Sequence, residues 1–275
     1  MQGCMVKCSL IYNDADGNHL TSALEYETLA LIGANIGVTD PDMVSLFDRL
    51  CDDIGVDTIE VGSALGVAAS VGKFAMGDAK AVEGILHEIE EGTEMGELVA
   101  NGVVHTALTL DVDRVPAFGG QAIPAHDPRV GKPTGVTYYT SPMGADHTAG
   151  LKYDMENEGA VESSLREQIT NAVLDSMGLC QFAIAGETPI TVTFCKDLIN
   201  SCYDLSITEE DIVNVGRDCL RDEVAFNKGA EFSTAHGDGP AFVRTESLPP
   251  MNMTFGVEQT EMDHIWDKLD TIEVL

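Results

Sequence analysis

Two short stretches of this sequence, Asp52-Asp53-Ile54-Gly55-Val56-Asp57-Thr58 and Asp175-Ser176-Met177-Gly178-Leu179-Cys180-Gln181, share one pattern, D-x-x-G-[LV]-[DC]-x. Each closes an amphipathic helix. Val44, Phe47, Leu50, Cys51 and Ile54 recur at helical spacing before the first, and Leu165, Ile169, Ala172, Val173 and Met177 before the second. Glycine takes the left-handed turn that ends a helix. The Asp one turn earlier and the side chain two residues beyond it then flank one loop, where they present hydrogen-bonding groups. For a single copy, ordinary helix-stop chemistry is a sufficient explanation. Two copies after similar helices leave two readings side by side, a duplicated binding element and helix-stop chemistry used twice.

The rest of the chain is punctuated for helices. Asp40 and Pro41 start one, as N-cap and first helical residue, and Gly55 closes it. A run from Asp57 to Phe74 holds Gly62, Ala64, Gly66, Ala68, Ala69 and Ser70, small residues that suit a buried helix or one beside a cofactor. Asp78 caps a third helix ending at Gly92, and a short fourth reaches Asn101-Gly102. From Asp111 to Gly150, Pro and Gly are crowded, which predicts a long functional loop with a domain boundary near residue 117. Helices resume over Ser164–Met177, Ile190–Cys202 and Thr208–Lys228, the last opened by Thr208 with Asp211 in a shortened capping box. The tail after Gly229 reads as irregular, with a helical turn or two around Glu261–Leu269. Strand signal is confined to short pieces such as Lys7–Tyr12. The expected fold class is mostly α, with helical domains over 1–117 and 118–275.

Charge excludes several functions. There are 46 acidic and 15 basic residues, a formal net charge of −31 spread along the whole chain. Phosphate binding needs Lys and Arg clusters, so no nucleic-acid partner is expected, and no anionic membrane surface. Such self-repulsion suits a halophile's cytoplasm, where molar salt shrinks the Debye length to about 3 Å. An ordinary acidic protein is the alternative. Seven cysteines, with no signal-peptide pattern, favour reduced thiols and metal ligation in the cytoplasm.

Cys4 and Cys8 lie close together near the start, either as part of a metal motif or as incidental thiols. Cys51, Cys195, Cys202 and Cys219 read as core thiols on helices. The remaining polar clusters are Glu25-Tyr26-Glu27-Thr28 and Gly144-Ala145-Asp146-His147-Thr148. His19, His87, His105, His126, His236 and His264 lack such a setting and are assigned no chemistry.

Taken together, "MQGCMVKCS", "LEYETLALIGANIGV", "LCDDIGVDTIEVG", "PAHDPR", "GADHTAG" and "DSMGLCQFA" resemble the C-terminal part of the aldehyde ferredoxin oxidoreductase family, up to about Lys228. These are tungsten or molybdenum bis-pterin enzymes. The resemblance implies two helical domains around a pseudo-symmetric cofactor surface, and oxidation of aldehydes to carboxylic acids with electrons leaving through a 4Fe–4S cluster to ferredoxin. It makes Cys4, Cys8 and Cys180 cluster ligands. It places Asp52, Asp57 and Asp175, with Gly55, Thr58, Gly178 and Leu179, in the loops that hold the pterins. His147 becomes the active-site histidine, and either Glu25 or Glu27 the active-site glutamate. A first clustered cysteine is expected three or four positions before Cys4, and the family's N-terminal β-rich domain is absent from this sequence. The expectation is the C-terminal portion of a longer enzyme, by truncated gene, split subunit or mis-assigned start. Its partners would then include a separate N-terminal domain or subunit, and a homo-oligomer is compatible with it. The rival expectations are a catalytically silent fragment and a small metal-binding or interaction protein.

Overall fold

The computed structural model describes residues 6–8, 10–22, 24–184, 188–231 and 239–274. The chain forms two compact units, 1–125 and 126–275. Among the described residues both are mostly helical, and the first also holds two small hairpins, Ile11–Asn13 with His19–Ser22 and Ala117–Phe118 with Gln121–Ala122. Among the described residues no helix is long and apolar enough to cross a membrane.

In the first unit, local caps set the helices. Asp40 accepts from the Asp42 amide at 3.0 Å, and Pro41–Ile54 follows with Val44, Phe47 and Cys51 buried. Asp78 accepts from the Ala81 amide and starts Ala79–Glu91. The small-residue run is the buried helix Thr58–Ser70. It presses on an irregular helical segment that passes from Tyr26–Thr28 through a π-helical Leu29–Gly33 to a 3-10 turn, Ala34–Ile36. A Cβ on Gly62 would stand 2.5 Å from the Leu31 carbonyl, so these two backbones pack without a side chain between them. Ile32, Ile36, Phe47, Leu65 and Leu86 fill the core between the helices.

Several expectations need correction here. The helical region does not stop at Asn101-Gly102: Gly102–Thr109 is a further helix, and Asn101 gives it no side-chain cap. Its Val103 amide instead donates to Glu60 Oε2 at 3.0 Å, from 43 residues away. Glu60 Oε1 also accepts from the Ala122 amide at 2.5 Å. With Ala122 packed against Val67, Val103 and Ala107, the second hairpin belongs to the first unit. The division between the two compact units falls after Ala125. The strand expected over Lys7–Tyr12 begins only at Ile11.

In the second unit, the stretch expected as one long loop contains the helix Lys132–Thr140. Pro133 sits in its first turn, where a missing N–H costs nothing. Gly135 is required there, because a Cβ would stand 2.5 Å from Phe255 Cε2. Ala160–Ser176 crosses Glu209–Gly229 closely, and a Cβ on Gly216 would lie 2.3 Å from the Ile169 carbonyl oxygen. Thr208 and Asp211 form the capping box of Glu209–Gly229. The helix Thr188–Tyr203 packs against both helices. The tail is pinned by buried Arg217, which donates to the Leu269 and Ile272 carbonyls, and by fully buried Lys132, which donates to the Arg129 and Thr254 carbonyls.

Candidate functional site

The two D-x-x-G loops share one closing bond across a left-handed glycine, though the Gly55 amide donates to the Cys51 carbonyl and the Gly178 amide to the Asp175 carbonyl. Gly55 and Gly178 both take left-handed φ, 85° and 65°. The Val56 amide donates to the Cys51 carbonyl at 3.0 Å, and the Leu179 amide to the equivalent Leu174 carbonyl at 2.9 Å. This long closing bond over a left-handed glycine is the Schellman geometry. A helix then begins at Thr58 in the first copy and at the matching Gln181 in the second. Asp52 and Asp175 occupy one position on the two frames, and both are exposed. Partial burial, and then the negative charge of Asp146, push the Asp175 carboxyl above the usual carboxylate range. The position two beyond the glycine differs. Asp57 Oδ2 caps the Thr58–Ser70 helix by accepting from the Glu60 amide at 2.8 Å, whereas Cys180 is an exposed thiol. Thr58 Oγ1 pairs with Thr28 Oγ1 at 3.0 Å.

The likeness runs back into the preceding helices. At the same offset Ser45 matches Gln168, and Asp48 matches Asn171; all four are buried. Ser45 Oγ and Gln168 Oε1 are both buried atoms without a hydrogen-bond partner. Asp48 accepts from Thr21 Oγ1 at 2.5 Å. Burial pushes its carboxyl up, which the Thr21 bond opposes and the Asp52 charge reinforces. A raised folded pKa means a contribution to stability that is present in acid and lost as pH rises through that pKa. Asp48→Asn, which copies the second repeat, is therefore expected to stabilise the fold by about 1 kcal/mol at neutral pH. The gain should vanish as pH falls through the carboxylate range. Denaturant melts of both proteins at neutral and acid pH check this. A variant less stable at neutral pH would mean that the threonine bonds outweigh the burial cost.

The two glutamates differ in placement. Glu25 is exposed, while half-buried Glu27 turns inward and accepts from the Ala125 amide at 2.7 Å. Between them, Tyr26 donates to the Ala125 carbonyl at 3.3 Å.

In the second unit, Gly144 at φ 87° and the Asp146 carboxylate, which accepts from Thr148, shape the turn that carries half-buried His147. The His147 ring lies 4.8 Å, centroid to centroid, from that of His126, the interplanar angle being 32°. His126 is held in turn: its carbonyl accepts from Tyr138 at 3.0 Å, and its Nδ1 bonds the Tyr153 hydroxyl. Asp127 accepts three bonds from Arg129 and stiffens the following turn. The sequence assigned His126 no chemistry. The usable signal was its place inside the Pro124–Arg129 stretch.

The cysteines divide. Cys4 lies outside the described residues. Cys8, in the irregular segment before the first hairpin, is an exposed thiol like Cys180. Cys51 is fully buried and its thiol is pushed up to about 12 by burial and then by the Asp48, Asp52 and Asp57 charges. Burial also raises Cys195. Cys202, expected in the core, is exposed in the last helical turn, as are Ser201 and Tyr203 beside it.

The family model described as aldehyde ferredoxin oxidoreductase, domains 2 and 3, matches residues 1–268. The tungsten-containing aldehyde ferredoxin oxidoreductase of Pyrococcus furiosus is 25% identical over 252 residues, 79% of this chain and 40% of that protein. Its Thermococcus kodakarensis counterpart is 23% identical over 266 residues, 84% of this chain and 42% of that protein. An aliphatic sulfonate oxidoreductase WOR-like subunit of P. furiosus is 27% identical over 205 residues, 66% of this chain and 32% of that protein. The chain thus spans about two fifths of the length of the first two relatives, and it belongs to the aldehyde ferredoxin oxidoreductase family, matching that family's second and third domains.

Proposed function

We propose that this chain forms the C-terminal helical portion of an aldehyde:ferredoxin oxidoreductase that oxidises aldehydes to carboxylic acids. The observation that carries the reading is the duplicated loop, closed in each copy by the same bond across a left-handed glycine and bearing an aspartate at one equivalent position in each unit. The donor set suits a pterin. Its amino and ring N–H groups call for acceptor-only partners, and Asp52 and Asp175 are exposed carboxylates on the loop rims. Asp57 has a second oxygen besides the one that caps its helix. Tungsten is the proposed metal, since the aldehyde-oxidising relatives are named for it. Cys4, Cys8 and Cys180 would supply three of the four thiolates of a 4Fe–4S cluster, the fourth coming from the family's remaining domain or a separate subunit. Ferredoxin is the proposed electron partner.

When bound, the metal pterin supplies a two-electron oxidation. Converting an aldehyde to an acid takes up one water and releases two electrons and two protons. Glu27 and His147 are the carboxylate and imidazole proposed to hold and move those protons.

The test is anaerobic purification from the source cell, followed by tungsten, molybdenum and iron analysis and aldehyde-dependent viologen reduction. Tungsten or molybdenum with iron, plus aldehyde-dependent reduction, is the expected result. Absence of metal and turnover would leave a silent protein, and zinc alone a small metal-binding one. Within the active enzyme, Asp175→Ala is expected to lower pterin and tungsten content several-fold while iron is retained. Cys180→Ser should chiefly remove iron. Equal loss of both in each folded variant would argue against separate roles.

A further inference from the structure

We infer that Tyr153 is a positioning residue for the His126–His147 imidazole pair; the inference deepens the functional reading above, because His147 is the histidine that reading uses. The Tyr153 hydroxyl bonds Nδ1 of His126, and the two rings also lie 5.8 Å apart, centroid to centroid. The other face of the arrangement is the His126–His147 contact at 4.8 Å. A phenol hydroxyl donates to a neutral imidazole nitrogen, and the nitrogen that accepts cannot carry the ring proton. The proton of His126 is then on Nε2, and the ring has one orientation. The Tyr138 hydroxyl, bonded to the His126 carbonyl, fixes the backbone end of the same residue. With backbone and ring both held, His126 forms a fixed wall against which His147 packs. The geometry thus runs from Tyr153 through His126 to His147, in one unit of the chain.

The experiment is nitrogen NMR of the full chain carrying labelled histidine, in alkaline buffer, with His126→Gln and His147→Gln used to assign the two rings. Wild-type His126 is expected to show a protonated Nε2 and a bare, hydrogen-bonded Nδ1. Tyr153 is 63% exposed, so Tyr153→Phe should melt at the wild-type temperature. In that variant the two His126 nitrogen shifts should move toward each other as tautomers mix, and the His147 ring signals should shift with them. A purely packing role for Tyr153 would leave the tautomer unchanged. A wild-type His126 protonated on Nδ1, or Tyr153→Phe with both rings unmoved, overturns the inference. No cofactor is needed, so failure here is separate from failure of aldehyde oxidation.

Discussion

Gly62→Ala is expected to destabilise the first unit by about 2–4 kcal/mol, although alanine is the better helix former by about 1 kcal/mol. The added methyl would stand 2.5 Å from both the carbonyl carbon and oxygen of Leu31 and 2.8 Å from the Ile32 amide nitrogen. All three are backbone atoms, so no side-chain rotation relieves the clash. Either the Thr58–Ser70 helix moves away, or the π-helical Leu29–Gly33 segment rearranges. Both outcomes disturb Tyr26 and Glu27, which lie just upstream and hold Ala125. Chemical denaturation of the two proteins side by side measures the loss. Gly84→Ala is the control: no atom lies within 4 Å of its added Cβ, and its helix is regular. A Gly62→Ala protein as stable as the control would mean that the two helical segments do not meet as described.

The second large effect concerns salt. We propose that stability rises by several kcal/mol between dilute buffer and multimolar KCl, which for a chain of this size is about 10 °C or more in Tm. The cause is the net charge of −31 on 275 residues. At low salt, carboxylates repel one another over about 10 Å or more, and at 1 M over only about 3 Å. Only 15 Lys and Arg are available to offset them, and exposed pairs such as Arg49–Asp53 and Arg221–Asp270 contribute little each. Circular dichroism melts across a KCl series check the expectation, with sucrose as a control for exclusion effects. A flat response would remove the proposed link to a saline cytoplasm.

What was legible in the sequence was what is encoded locally. Asp40, Asp78 and Thr208 cap helices within three residues of themselves, and those helices begin where expected. The D-x-x-G closures are equally local and were legible as a repeat. The Gly102–Thr109 helix was not, because its N-terminal amide is satisfied by Glu60 from another helix. Lys132–Thr140 was hidden by Pro133 and Gly135, breakers by type that are harmless where they stand: one in a first turn, the other facing Phe255. The site shows the same limit. The segment holding Glu25 and Glu27 was visible, but which glutamate turns inward depends on Ala125, far along the chain. His126 acquires meaning only through Tyr153 and His147, neither its sequence neighbour.

The position two beyond each loop glycine shows how a duplicated element divides its labour. Both copies keep the closing bond across a left-handed glycine, so the two side chains stand at equivalent places after similar turns. In the first copy that side chain, Asp57, is committed to folding, since its carboxylate caps the next helix. In the second, the thiol of Cys180 is exposed and available to outside chemistry. An exchange of the two residues would thus be lopsided. Asp57→Cys would uncap a long buried helix, while Cys180→Asp would offer a cap to a single helical turn and remove a thiol.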